Sequence, residues 1–496
     1  MDSRDRKNSR GVCVAGVVLS LAAFGAHADP PFDRGAWEGD FRALKAEIER
    51  SYSHLAWFGT PEGGVDLPAL DRATSAALQR AQTDAEASAA LVAFVAGFRD
   101  RHLARTPVPA KAASDVVEPP VAELASDAKT ACASVGYLSM SRIPFSLPFE
   151  TLPRFTLLAD GTADPFRAGV LEVGKVPVGV VRIARFRATE YPALCERVWA
   201  ALRARHVEPN RKAIAGEVEA EWLRTLAARL RELKARRVAA TVVDLGDNGG
   251  GTDLGDWAVR LFTAAPVRSA PMWMVAGPVS VPYFDVQLAD LRAALAAHAD
   301  LPAFTRSAVL QGIAAFEQRK RAALSTACDL SWVWHTRRPW RAVPCNRLVD
   351  GGFASGHLDY AAPGSLDRRA APALYWASAA DDVRGAWDGP TYVLTDGWTA
   401  SAAEAFTALM RDRGIAKTIG ARTMGLGCGF ADNDTPFVLP HARLAFRMPN
   451  CVRLRADGTD DVAGIVPDLP LVARPGESPR GLAARALQMV VADSAR

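Results

Sequence analysis

The stretch from Ala239 to Gly251, AATVVDLGDNGGG, decides how this chain is read. Its first seven residues form a short continuous apolar run, the pattern of a strand buried on both faces. The run ends in Gly246-Asp247-Asn248-Gly249-Gly250-Gly251, and a helix is expected from about Asp253 to Thr263. Strand, glycine turn and helix is the arrangement by which α/β folds turn backbone N–H groups toward an anion. A tight turn that merely needs positive φ angles is the plainer alternative. The G-x-G-x-x-G spacing of a dinucleotide site is missing.

A second junction of the same kind lies downstream. The apolar run Thr391 to Thr395 (TYVLT) leads into Asp396-Gly397-Trp398-Thr399-Ala400-Ser401-Ala402-Ala403-Glu404, and a helix continues through Phe406, Leu409 and Met410. Ser401-x-x-Glu404 is a capping box, and a serine in that position needs no chemical role. The place is nonetheless apt for a nucleophile. A serine opening a helix sits at the positive end of the dipole, and the following N–H, from Ala402, can face a developing oxyanion.

Outward from these junctions, the 496 residues are 49% hydrophobic and 23% charged, an ordinary globular balance. The net charge is +4, and the first 28 residues alone carry +2, so the rest is nearly neutral. A nucleic-acid binder driven by counterion release is therefore not expected. Arg4, Arg6, Lys7 and Arg10 precede an apolar stretch, Gly11 to Gly25, and then Ala26-His27-Ala28, which together read as a signal peptide cleaved after Ala28. The stretch is shorter than the ~20 residues a bilayer span needs, and no later segment is apolar enough to span a membrane. Cleavage removes Cys13 and leaves Cys132, Cys195, Cys328, Cys345, Cys428 and Cys451. An even number in an exported chain reads as disulfides. All fifteen pairings stay open; neighbour pairing is the simplest. Without a C-x-x-C spacing, no metal site or cofactor is expected.

Helices are expected over 36–56, from about Leu67, after Thr83 (a capping box with Glu86), and over 217–237; strands occupy 135–190, most clearly Val176 to Phe186. The resulting division is a signal peptide (1–28), an N-terminal helical domain (29–110), a small mixed α/β segment (111–200), the first part of a core (201–265), an insert (266–388), the second part of the core (389–475) and a C-terminal helix (476–496). Within the insert, Cys328 to Cys345 encloses Trp332, Trp334, Trp340 and three arginines. They either pack a stapled loop on the core or offer a peptide aromatic walls and guanidinium groups.

Taken together and in this order, Asp244-Leu245-Gly246-Asp247-Asn248-Gly249-Gly250-Gly251 and Thr399-Ala400-Ser401-Ala402-Ala403-Glu404 resemble the C-terminal processing (tail-specific) and tricorn-like serine peptidases. The family has D-L-R-x-N-x-G-G and T-A-S-A-x-E at these places. Arg413-Gly414 to Thr423, Gly458 to Asp468, and Asp100-Arg101-His102 echo three more of its segments. The resemblance implies an α/β fold with a Clp protease/crotonase-like catalytic core. It implies Ser401 as nucleophile, with the Gly251 and Ala402 N–H groups as oxyanion donors. In the tail-specific branch a lysine 25 residues after the serine is the base; here that residue is Leu426, and Lys417 is the only lysine after Ser401. The chain is thus closer to the tricorn-like branch, which implies His102 as base and Asp461, with Asp460 as its nearest rival, as the orienting carboxylate. His357 and His441 (the latter on a probable strand) are further histidine candidates, with His54 and His335 behind them. Gly246 replaces the family's arginine, and no clear PDZ domain is recognised.

The expected function is an exported, periplasmic or secreted, serine peptidase acting on peptides or unfolded polypeptides through an acyl-enzyme. The alternatives are an inactive relative that binds peptides or small apolar ligands, and an acyl hydrolase of non-peptide esters. Amino-terminal sequencing of the exported protein should begin at Asp29; an intact Met1 would contradict the leader reading.

Overall fold

The computed structural model describes residues 31–108, 126–138 and 142–495. The leader and most of the 107–119 linker lie outside the described residues. A seven-stranded sheet forms the centre, built from β1 (Phe155–Ala159), β2 (Ala168–Val173), β3 (Val176–Arg182), β4 (Ala240–Asp244), β5 (Thr391–Thr395), β6 (Lys417–Gly420) and β7 (Leu469–Pro470). Its order is β7-β6-β5-β4-β3-β2-β1. Strands β3 to β7 run parallel, and β1 and β2 extend the sheet antiparallel. Every residue of β4 and β5 is buried, as continuous apolar runs require when both faces are covered. The mixed α/β architecture is the one the sequence implies.

Helix α4 (Arg211–Ala235), capped by Asn210 on Ala213 N–H at 3.0 Å, covers one face. Its Trp222 is fully buried and meets Phe166 edge-on at 4.8 Å and Phe186 at 5.8 Å. The C-terminal helix α8 (Pro479–Ser494) covers the other face with Ala483, Ala486, Leu487 and Val490. N-terminal helices α1 (Arg34–Ser51), α2 (Leu67–Arg80) and α3 (Asp84–Ala96) gather a separate apolar cluster around Phe41, Leu91, Phe94 and Phe98. Thr83 caps Glu86 N–H at 3.2 Å, but the Glu86 carboxylate returns to Gln82 N–H rather than to Thr83.

The insert contains helices α5 (Val281–Ala297) and α6 (Ala303–Ser325) and a three-stranded sheet in which Pro271–Val275 pairs with Leu348–Phe353 and with Cys451–Arg453. The tryptophans between Cys328 and Cys345 pack as core. Trp332 and Trp334 are buried, Trp334 Nε1 donates to Glu49 at 2.6 Å, and Trp340 meets Trp57 edge-on at 5.3 Å. Their apolar surface is spent on the N-terminal helices.

Two sequence expectations change. The helix expected over 253–263 is one α turn, Leu254–Trp257, followed by the 3₁₀ stretch Ala258–Phe262. Buried Arg260 explains the break, because its Nη1 takes the Asp256 carbonyl at 2.6 Å, the acceptor a continuing α-helix would use. His441 lies in a turn rather than a strand, its N–H on Asp40 and its ring against Trp37.

The disulfides join Cys132–Cys195, Cys328–Cys345 and Cys428–Cys451, the neighbour pairing. Closing a loop of the middle one's size stabilises by about 3 kcal/mol in the chain-entropy model. Peptide mapping of non-reduced protein should recover these three linkages. Free thiol at any of the six residues, or crossed pairs, would refute the arrangement.

Candidate active site

At the end of β4 the buried Asp244 carboxylate accepts Ser146 N–H at 2.7 Å and Gly246 N–H at 3.2 Å, with Arg182 beside it. Ser146 also accounts for Gly246, since a methyl group there would stand 2.5 Å from the Ser146 side chain. Asn248, fully buried, pins the turn in three directions. Its amide donates to Ile183 C=O at 2.7 Å, its Oδ1 accepts Gly250 N–H at 2.9 Å, and its own carbonyl accepts Ala400 N–H at 2.9 Å. The glycine turn is thereby tied to the residue before Ser401.

Ser401 opens helix α7 (Ala402–Asp412) with φ 55° and ψ −117°. A non-glycine residue at positive φ is strained, and such strain persists only where the surroundings impose it. The imposition is visible. A methyl group on Gly250 would lie 2.7 Å from Ser401 Cβ and 2.9 Å from Ala402 N, so this glycine permits the closest approach of the two junctions. Gly250 N–H is engaged by Asn248, whereas Gly251 N–H has no hydrogen-bond partner among the described residues. Gly251, at φ 156°, lies beside Phe186, which donates its N–H to Gly250 C=O at 3.0 Å and accepts Thr252 N–H at 2.7 Å.

Glu404, one turn into α7, is a buried carboxylate with four donors. Its Oε1 accepts Thr423 Oγ1 at 2.6 Å and Gly425 N–H at 2.7 Å; its Oε2 accepts Leu426 N–H at 2.9 Å and Ser401 N–H at 2.8 Å. Burial raises its pKa, and the hydrogen bonds oppose the rise. Leu426, at the position where a lysine base would stand, accepts His102 Nδ1 on its carbonyl at 3.1 Å. One carboxylate therefore ties the Ser401 backbone to the segment that orients His102. The His102 N–H is held by Asp100 Oδ1 at 2.8 Å, and the ring meets Phe430 edge-on at 5.6 Å. Burial pushes the His102 pKa below its usual value despite Asp100 nearby, so the imidazole is neutral at neutral pH. With Nδ1–H donated to a carbonyl, Nε2 keeps the lone pair.

The carboxylate at Asp461 faces elsewhere. It accepts Cys428 N–H at 3.3 Å and Arg453 Nε at 3.1 Å, and no described hydrogen bond joins it to His102. The imidazole–carboxylate pair belongs to His54 and Asp460, at 2.8 Å, with His54 Nε2 on Cys428 C=O at 3.0 Å. Burial alone would lower His54; Asp460 outweighs it and pushes the imidazole up to about 9. Ligand-type atoms of His54, Asp460 and Asp461 lie within 4.8 Å of one another, but each residue already has protein partners, and both His54 nitrogens are engaged. His357 rests against Phe316 and Arg319, where burial brings it down to about 4, and His335 is exposed. Neither shares the Glu404 network.

A methyl group on Gly251 would stand 2.0 Å from Phe186 O. Gly251→Ala is thus expected to destabilise the fold by ~1–3 kcal/mol, the scale of a forced core clash, alongside any loss of turnover. Thermal unfolding of the variant checks this; an unchanged melting temperature would mean that the loop yields freely.

Residues 347–471 match peptidase family S41. No curated protein sequence matches the chain. Solved structures that share the fold include mature CPAF, with 13% identity and a TM-score of 0.51 over 93% of this chain and 98% of that one, and mature CPAF complexed with lactacystin, with 14% identity and a TM-score of 0.51 over 93% and 99%. Residues 347–471, which include the Ser401 junction, are thus similar to peptidase family S41, and the chain shares the fold of mature CPAF.

Proposed function

We propose that the protein is an exported serine peptidase that cleaves peptides or unfolded polypeptides through an acyl-enzyme on Ser401. The observation that carries the reading is Ser401 itself, held at φ 55° at a helix start against a glycine turn whose Gly251 N–H has no partner among the described residues. In this reading His102 Nε2 takes the Ser401 proton as Oγ attacks the scissile carbonyl. The Gly251 and Ala402 N–H groups receive the oxyanion, and His102 returns the proton to the leaving amine. The Leu426 carbonyl takes the orienting place a carboxylate holds in a triad, and Asp461 supports the Cys428 segment. Three disulfides suit an oxidising compartment, and among the described residues no helix is long and apolar enough to cross a membrane.

A non-catalytic peptide-binding relative is the second reading, favoured by Leu426 at the lysine position and by a His102 without a carboxylate on Nδ1. A fluorophosphonate probe separates the two. It should label Ser401 in the wild type and nothing in Ser401→Ala; an unlabelled Ser401 in folded protein supports the binding reading. Peptide against ester turnover then sets peptidase apart from acyl hydrolase.

The base assignment makes a pH prediction. Below its pKa the imidazolium cannot accept the serine proton, so kcat/KM should rise with pH through a value below 6.5, as the lowered His102 pKa requires. His102→Ala should lose ~10⁴-fold in kcat and lose this acid limb. Retention of the limb in His102→Ala would assign it to another group.

A further inference from the structure

His102 is oriented by a loop rather than by a carboxylate side chain. The Leu426 carbonyl accepts its Nδ1–H at 3.1 Å, and the ring meets Phe430 edge-on at 5.6 Å. Between these two residues, a methyl group on Gly429 would stand 3.1 Å from His102 Cε1 and 3.2 Å from Nε2, so the imidazole lies against that glycine. A main-chain carbonyl is only as well placed as the segment that carries it. Whatever holds residues 426–430 therefore decides where Nε2 points.

Glu404 holds the Leu426 end of this segment, and Cys428 is held in its middle. The Cys428 N–H goes to Asp461 Oδ1 at 3.3 Å, and its sulfur is bonded to Cys451. Its carbonyl receives no backbone N–H among the described residues. That carbonyl is taken by His54 Nε2 at 3.0 Å. His54 is fully buried between α1 and the helical turn Leu55–Phe58. Beside it, Ser53 donates its Oγ to Cys451 C=O at 2.9 Å and its N–H to Pro449 C=O at 3.0 Å. The other imidazole nitrogen of His54, Nδ1, meets both Asp460 oxygens, at 2.8 and 2.9 Å.

Both partners of His54 are thus acceptors. A carbonyl has no proton to give, so Nε2 must carry one, and the carboxylate on Nδ1 keeps it there. A fully buried ion pair contributes little net stability, because desolvation offsets its attraction; its effect lies in what it fixes. We propose that His54 is a positioning residue for His102: its Nε2–H, directed by Asp460, holds the Cys428 carbonyl and thereby sets the 426–430 segment on which the base lies. This rests on the reading of His102 as base.

The arrangement has a pH limit. Facing His54 are Asp460 and Asp461 from the 460–463 turn, Tyr52 from its own segment, and Asp100 and His102 from the segment after α3. Burial lowers the His54 pKa, but the acids, Asp460 foremost, bring it up to about 9. Below that value both nitrogens carry protons. As the pH rises through it one proton leaves, the other goes to the carboxylate as the stronger acceptor, and Cys428 is released. Protonating Asp460 at low pH leaves Nε2–H in place, so the pair adds no acid limb.

The test follows kcat and KM against pH in the wild type, His54→Leu and His54→Gln, each per folded molecule. Wild-type kcat should fall above a pH of about 9. His54→Leu, which has no donor, should lose about 10²-fold in kcat with KM little changed, the scale of a misplaced catalytic group. His54→Gln, whose amide N–H does not titrate, should recover most of that loss and show no such fall. Where His54→Leu does not fold, the profiles of the wild type and His54→Gln decide. Nitrogen-15 spectra of the imidazoles in Ser401→Ala protein read the positioning without turnover. At neutral pH His102 should hold its proton on Nδ1 alone, and adding His54→Leu should spread it over both nitrogens. Full kcat with an unchanged His102 proton in folded His54→Leu, or an alkaline fall that persists in His54→Gln, overturns the proposal. A wild-type Ser401 that takes no fluorophosphonate label removes the peptidase reading, and the spectra still decide whether His54 places His102.

Discussion

The buried carboxylate of Glu404 is the interaction on which the rest of the site depends. An ionised carboxylate taken out of water carries a penalty of several kcal/mol unless hydrogen bonds replace its hydration. Here four donors do so, and they come from both halves of the site. Ser401 N–H and Leu426 N–H share a single oxygen, so the Ser401 backbone and the segment that orients His102 are held together. What looks in isolation like an N-terminal cap is also the joint between two loops. Removing any one donor would leave part of a buried charge exposed to apolar surroundings, which is why the arrangement is held as a unit.

Around this joint, close backbone approach does the remaining work. Gly250 sits where any side chain would strike Ser401, Gly255 where it would strike Ala402 O, and Gly251 where it would strike Phe186 O. The glycine turn is therefore not a matter of positive φ alone. It lets the ends of two neighbouring parallel strands, β4 and β5, bring their turns into contact, and it leaves Gly251 N–H without a hydrogen-bond partner among the described residues. The cost is a strained Ser401 of order 1–3 kcal/mol. The Asn248 network and the covalent link from Cys428 to Cys451 hold the surroundings against it.

Much of this was legible in the chain because it is local. Two apolar runs ending in turns announce β4 and β5, and Thr399-Ala400-Ser401-Ala402-Ala403-Glu404 marks the start of α7. What was not legible depends on distant partners or on the backbone. His54 and Asp460 meet across 406 residues of sequence. Nothing in Ser53-His54-Leu55 signals a charged pair. The Leu426 carbonyl that receives His102 is a main-chain atom, and reading Leu426 only as a missing lysine overlooks it. Asp461 stands in sequence where the resemblance implies the orienting carboxylate, before Gly464-Ile465-Val466-Pro467-Asp468, yet its neighbour Asp460 carries an imidazole contact, with His54, while Asp461 faces Arg453. The tryptophans between Cys328 and Cys345 suited a binding wall in composition, but a three-dimensional partner, the N-terminal helices, claims them. Similarly, the break after Trp257 follows from a side chain competing for a carbonyl, which periodicity cannot show.

The central claim is that Ser401, the Gly251 and Ala402 amides and His102 act at one point. A crystal structure of the protein with Ser401 phosphonylated tests it most directly. The account predicts the phosphonyl oxygen at about 3 Å from both amide nitrogens, with His102 Nε2 within hydrogen-bond reach of Ser401 Oγ or of the adduct. An adduct whose oxygen turns to solvent, or a His102 whose Nε2 stays away while another histidine occupies its place, would contradict it.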